Sequence, residues 1–375
     1  MRKLIRSLLA VLLALALACS LTACSNTEEA PAADESAQTA VDSSLPFAGT
    51  TLTVFNWFDY IDPAVIDLFE EETGATVQYV NFTTVEEMYA KIEAGAAVYD
   101  VVFPSDYMIE RMIAADMLAP LNFDNIPNAD GIMDWMKTAD YDPTFSYSVP
   151  YLWGTVGILY NTEMVEEEVD SWDVLFSEDY AQDVIMISSM RDTIAVALKE
   201  LGYSLNSRSP EELYAARDLL VAQKKAGIPC GYLLDEVKDK MVGNEAALSV
   251  VYSGDAYYAM DKNEALSYVV PNEGSNVWID GMCIPKNSPN KECAEAFINF
   301  LCKEEIAQMN FDYVYYPTPV QAVADALKED DPDLYSIMIP SDEVIANCEY
   351  FHDLGDDLDM YNEMWSEIKS GATGN

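Results

Sequence analysis

Aromatic residues recur beside small polar or acidic ones at five places in this chain. They are Trp57, Asp59 and Tyr60; Ser105, Asp106 and Tyr107; Tyr252, Ser253, Gly254 and Asp255; Trp278 and Asp280; and Tyr315 with Tyr316. This combination suits an organic cation. A protonated amine needs a carboxylate, which it meets through a charge-assisted hydrogen bond. Its alkyl chain needs flat apolar walls, and aromatic faces add roughly 0.5–2 kcal/mol per cation contact. A diamine or polyamine repeats that demand along its length. With 65 acidic residues and 23 tyrosines in the chain, any single adjacency is expected by chance. Position singles the clusters out, because they fall at expected strand ends or lobe crossings, where ligands of α/β proteins bind.

The same residues offer little for catalysis. There is one histidine, His352, beside Asp353 in a loop-like stretch that suits a plain surface role. The chain has no P-loop, G-x-S-x-G, dinucleotide fingerprint or H-E-x-x-H. Beyond the N-terminal segment the cysteines are Cys230, Cys283, Cys293, Cys302 and Cys348, with no C-x-x-C. Cys293 and Cys302 fall nine residues apart in one helical pattern and cannot readily pair, so these residues read as mainly buried thiols. A binding protein without cofactor or metal is expected, rather than an enzyme. The formal charge of −45 argues against nucleic acid, which needs basic patches, and favours the approach of cations.

Several elements must position the clusters. Arg2, Lys3 and Arg6 precede an apolar run from Leu8 to Leu17, too short for a typical span, and Leu21-Thr22-Ala23-Cys24 resembles a lipobox. Residues 1–23 then read as a lipoprotein signal and Cys24 as the lipidated residue. Residues 24–48, poor in large apolar side chains, read as a disordered tether. From Gly49 strands alternate with helices, which predicts a covered, largely parallel sheet. Leu52 to Phe55 opens it. Asp62-Pro63, Thr84 with Glu87, Ser188 or Ser189, and Ser209-Pro210 start helices. The extended stretch 146–161 crosses into a second lobe, and the strand 277–285 returns. The lobes are expected at 49–154 plus 279–324 and at 155–278 plus 325–375, with the ligand cleft between them.

Eight blocks across residues 50–370 resemble, in order, the spermidine/putrescine-binding proteins of bacterial ABC importers. They are N-W-F-D-Y-I-D-P from Asn56, E-E-T-G from Glu71, M-Y-A-K from Met88, Y-D-V-V-F-P-S-D-Y from Tyr99, V-P-Y-L-W-G from Val149, V-Y-S-G-D-A from Val251, V-W-I-D-G-M from Val277 and Y-P-T-P from Tyr316. The resemblance implies the two-lobed, type II periplasmic-binding-protein fold, each lobe a mixed, mainly parallel sheet flanked by helices. It implies walls from Trp57, Tyr60, Tyr107, Trp278 and Tyr316, with Tyr252 where the family often has tryptophan. Asp280 would hold one amine, with Ser105 near it, and Asp192 a terminal amine. Asp59 and Asp255 match positions acidic in putrescine-preferring relatives.

Two departures bear on the ligand. Spermidine-preferring relatives carry a further acid where this chain has Ser189, and about Phe351 stands where some relatives have glutamine. One acid fewer at that end favours putrescine over spermidine. The implied partners are a polyamine, a permease with its ATPase, and a membrane reached through the lipid anchor, the protein itself being a monomer outside the cytoplasm. The alternatives are the same fold holding thiamine, ferric ion or another organic cation, a thiamine-degrading enzyme built on a cysteine nucleophile, and a polyamine sensor that imports nothing.

Overall fold

The computed structural model describes residues 43–95 and 97–372. The expected signal, Cys24 and residues 24–42 of the tether lie outside the described residues. The end of the expected tether is instead folded, because Phe47 packs on the first core and donates its N–H to the Thr73 carbonyl at 2.9 Å.

Strand β1 (Thr51–Trp57) and strand β2 (Thr76–Phe82) pair in parallel across helix α1 (Pro63–Thr73). Asp62 caps α1 by accepting the Ala64 N–H at 2.9 Å, Pro63 fits the first turn, and Gly74 ends it at φ 72°. Helix α2 (Val85–Glu93) begins at Thr84, which accepts the Glu87 N–H at 3.1 Å, while the Glu87 carboxylate reaches back to the Thr83 N–H. Strand β3 (Val101–Val102) leads into helix α3 (Asp106–Ala114). After a run of short turns comes β4 (Ser148–Asn161), fourteen residues long and nearly all buried. There follow β5 (Val184–Ile187), α4 (Met190–Glu200), α5 (Pro210–Lys225), β6 (Pro229–Leu233), α6 (Glu236–Val242), β7 (Leu248–Tyr252), α7 (Ser253–Lys262), β8 (Leu266–Val269) and β9 (Val277–Cys283). The chain ends with α8 (Lys291–Leu301), α9 (Glu304–Val314), α10 (Gln321–Asp330), α11 (Pro332–Met338), α12 (Asp342–Ile345) and α13 (Leu358–Ser370).

The described strands pair in the order β2-β1-β3-β9-β4-β7-β5-β6, with β8 also on β4. Pairs within β2-β1-β3 and within β7-β5-β6 are parallel, whereas β4 runs antiparallel to each of its partners. Strand β4 changes partners along its length. Residues 148–155 pair with β9, and residues 156–161 with β7 and β8. The cores divide at the same place. Leu52, Phe69, Phe103, Trp153 and Phe297 belong to one, while Val156, Trp172, Leu198 and Tyr361 belong to another, flanked by a smaller cluster around Leu159, Met241 and Tyr268. The extended crossing read from residues 146–161 is this strand. Residues 325–350 pack against two cores, Tyr335 and Ile339 against the first and Ile337 and Val344 against the third.

Sequence periodicity missed the short elements. Strand β6 carries Pro229 and Gly231, which dilute a strand signal, and helix α9 runs on through Tyr313 to stop at Tyr315 with φ 64°.

Gly274 shows how tightly the returning chain is held. Its φ is 84°, and a Cβ there would lie 1.9 Å from the Asn347 carbonyl oxygen. Gly355, at φ 53°, has open space around it. Gly274→Ala should therefore lower stability by about 2 kcal/mol or more, against about 1 kcal/mol for Gly355→Ala. Urea denaturation of both variants checks this, and equal midpoints would contradict the packing described.

Candidate functional site

Asp280 lies on β9 with only 5 % of its surface exposed. Antiparallel bridging between Ser105 and Asp280 brings the start of α3 against the strand, and the Gly281 N–H donates to the Pro104 carbonyl at 2.9 Å. The Tyr60 hydroxyl, delivered by the turn after β1, donates to Asp280 Oδ2 at 2.9 Å. Tyr151 on β4 fixes that turn by donating to the Tyr60 carbonyl at 2.7 Å. Burial pushes the Asp280 carboxyl up to about 6, against the hydrogen bonds from Ser105 and Tyr60, which favour the charged form. Asp106 is buried behind it. Its carboxyl is held well above the ordinary range, mainly by burial, while the Tyr107 N–H donates to it at 2.7 Å.

A second buried acid lies on the other core. Asp192 sits in the first turn of α4, 4 % exposed. Its carboxylate accepts three side-chain donors: Ser189 at 2.6 Å and Tyr252 at 2.9 Å on Oδ2, and the Asn276 amide at 3.1 Å on Oδ1. Strand β7 ends at Tyr252, and Asn276 directly precedes β9. Neither Asp192 nor Asp280 takes part in an ion pair among the described residues.

Aromatic rings join the two acids. From Tyr60 the path runs to Tyr316 at 6.1 Å between ring centroids, then to Trp278 at 5.3 Å and Tyr252 at 6.1 Å, all edge-on. Two glycines let the path close. A Cβ on Gly254 would lie 2.4 Å from the Tyr316 ring, and one on Gly154 would lie 2.7 Å from Trp278. Burial raises the hydroxyl pKa values of Tyr60, Tyr252 and Tyr316 well above the usual tyrosine value, so these groups remain donors. The Trp278 indole N–H is buried without a partner among the described residues.

The remaining expected residues have other neighbours. Asp255, in the first turn of α7, lies near the Tyr316 hydroxyl beside the path and adds by charge to the burial that raises that hydroxyl's pKa, but its own Oδ1 lies 3.4 Å from Lys238 Nζ. Trp57 packs on Phe82 at 4.6 Å. Asp59 is exposed at φ 53° and accepts the Tyr313 hydroxyl at 2.8 Å. Tyr107 donates to Glu86 at 3.1 Å and packs on the cluster of Ala195, Leu205 and Phe351. His352 keeps a partly exposed side chain, its Nδ1 3.3 Å from Glu110 on α3, while Arg191 on α4 donates to its backbone carbonyl. Phe351 is buried beneath the Arg191 guanidinium, 4.1 Å from ring centroid to Cζ. Sequence reading gave no role to Tyr151, Asn276, Glu86 or Lys238. None adjoins an aromatic and acidic motif in a way that singles it out, and only the tertiary structure brings them to the site.

Two buried acids thus lie on elements of separate cores with aromatic rings between them. A family model for bacterial extracellular solute-binding proteins matches residues 64–336. The chain belongs to that family. It is 31% identical over 328 residues to a spermidine/putrescine-binding periplasmic protein of Salmonella typhimurium, covering 86% of this chain and 92% of that one. It is 33% identical over 343 residues to a putrescine-binding periplasmic protein of Pseudomonas aeruginosa, covering 85% of this chain and 92% of that one. Among solved structures, a spermidine/putrescine ABC transporter substrate-binding protein of Streptococcus pneumoniae matches with a TM-score of 0.78 at 37% identity, covering 86% of this chain and 99% of that one. These likenesses bear out the family resemblance and the two-lobed binding-protein fold read from the sequence. The relatives are transport proteins, which agrees with a binding protein rather than an enzyme. Among the described residues, no helix is long and apolar enough to cross a membrane.

The electrostatics of the site can be read directly. In the ligand-free protein the Asp280 carboxyl should titrate near 6, and Tyr60→Phe should move it higher by removing a donor that favours the ionised form. Carboxyl-detected NMR across pH 4–8 measures both. Titration of Asp280 near 4, or no upward movement in the variant, would contradict this environment.

Proposed function

We propose that this protein captures a polyamine, putrescine in preference to spermidine, and delivers it to a membrane permease coupled to an ATPase. One observation carries the reading: Asp280 and Asp192 are buried without ion-pair partners at opposite ends of an aromatic path. Buried carboxylates are costly until a cation meets them. An ammonium group at each acid would supply the missing charge, and the methylenes between would lie against Tyr60, Tyr316, Trp278 and Tyr252. The names of the relatives support this ligand class.

Ser105 lies close to Asp280 and serves that end of the ligand. Trp57, Tyr107 and Asp59 border the site, and Asp255 tunes it. The two lobes, 49–154 with 279–324 and 155–278 with 325–375, close on the ligand about the middle of β4 and the start of β9. The ligand touches both lobes only when they are closed, so it stabilises that state. Cys24 carries a lipid anchor and the residues that follow it, up to the packed Phe47, hold the domain off the membrane as a monomer. The net charge of −45 raises the local concentration of cations.

Calorimetry with putrescine, spermidine, cadaverine, thiamine, arginine and ferric ion tests the reading. Putrescine should bind one to one, and at 100 times its Kd should stabilise the fold by about 2.7 kcal/mol. Asp280→Asn and Asp192→Asn should each weaken binding at least about thirtyfold, near 2 kcal/mol. The affinity should also fall as pH drops through about 6, because the Asp280 proton must then leave before the amine can bind. No response to any polyamine would overturn the proposal.

A further inference from the structure

Three acids reach the path, and they are not equivalent. Asp280 and Asp192 are hydrogen bonded by neutral donors and make no ion pair among the described residues, with Arg191 acting on Asp192 by charge from further off. Asp255 already has a cation. Lys238 on α6 lies 3.4 Å from its Oδ1, with the lysine side chain 33 % exposed and the aspartate 13 %. Helices α6 and α7 pack in one core through Val237, Met241, Ala256 and Ala259, so the pair belongs to a single rigid body. The lysine ammonium also lies over the Tyr258 ring, 5.3 Å from its centroid. Asp255 in turn lies close enough to the Tyr316 hydroxyl to act on it by charge, and the Tyr316 ring stands between Tyr60 and Trp278, midway along the path.

We infer that Lys238 is a specificity-determining residue that acts as a built-in cation at the middle of the ligand path, so that the site accepts a diamine and disfavours a polyamine with an interior ammonium. The inference rests on the polyamine reading above. A diamine brings a charge to each end and bare methylenes to the middle. A triamine also brings a secondary ammonium to the middle, where Lys238 has already neutralised the nearest carboxylate and repels a like charge. Asp235 is the other acid facing Asp255. It is exposed, so solvent screens it far more than the half-buried pair. Asp255 thus acts through Lys238, as a partner that holds the lysine in place, and the two acids left for the ligand match the two ends of a diamine.

The test is the ratio of spermidine to putrescine affinity, measured by calorimetry on the wild type and three variants. The wild type should favour putrescine. Lys238→Met keeps the length and apolar stem of the side chain and frees Asp255, so the ratio should move towards spermidine at least tenfold. Lys238→Arg keeps the charge and should leave the ratio near that of the wild type. Adding Asp255→Asn to Lys238→Met removes the freed acid and should abolish the gain. Circular dichroism melts of each variant establish that it is folded, and Lys238→Gln replaces Lys238→Met if the latter does not fold. An unchanged ratio in the folded neutral variant, or a wild type that favours spermidine, would overturn the inference while leaving polyamine capture intact. Loss of all polyamine binding in the wild type would instead overturn the proposed function on which it rests.

Discussion

A carboxylate taken out of water must be paired or hydrogen bonded, and this structure is arranged around two that are hydrogen bonded but not paired. Raising the Asp280 carboxyl to about 6 means that keeping it ionised at neutral pH costs roughly 3 kcal/mol relative to water. Tyr60 and Ser105 limit that cost, and Tyr151 fixes the turn that presents Tyr60. At Asp192 the same work is divided among Ser189, Tyr252 and Asn276, drawn from three parts of the chain. These donors are neutral, so they hold each acid in place and still leave its charge for a ligand.

The fold supplies the two positions independently. Strand β4 is shared by both halves of the sheet and changes partners between Thr155 and Val156, where the cores also divide. Asp280 lies on β9 beside the first half of β4, and Asp192 on a helix of the other core. The rings of Trp278 and Tyr252 span the seam, at the ends of elements that belong to different cores. Contacts made by His352 and Arg191 tie α3 to α4 near the same seam. On the proposed function, the charge that a ligand brings acts where the two bodies meet.

Much of this arrangement was legible in the sequence, and the limits are physical. Trp278 and Asp280, or Tyr252 and Asp255, are neighbours in sequence, so their type and spacing announce a site. The long helices showed start signals and apolar faces, as at Asp62 and at Ser209-Pro210. Partner choice was hidden because it is tertiary. Nothing near Asp255 in sequence says that Lys238, seventeen residues away, neutralises it, or that Asp59 turns outward to Tyr313. The two aspartates taken as marks of a diamine site thus have partners of their own. Strand β6, interrupted by Pro229 and Gly231, and the helices between residues 321 and 345 are too short or too diluted to give a clear period.

The central claim is that Asp280 and Asp192 hold the two ends of one cation across the aromatic path. A crystal structure with putrescine tests it most directly. The account predicts one amine nitrogen at hydrogen-bonding distance, about 2.8 Å, from each carboxylate, with the methylenes against Trp278 and Tyr316. Putrescine bound elsewhere, or within the path but touching neither acid, would contradict it.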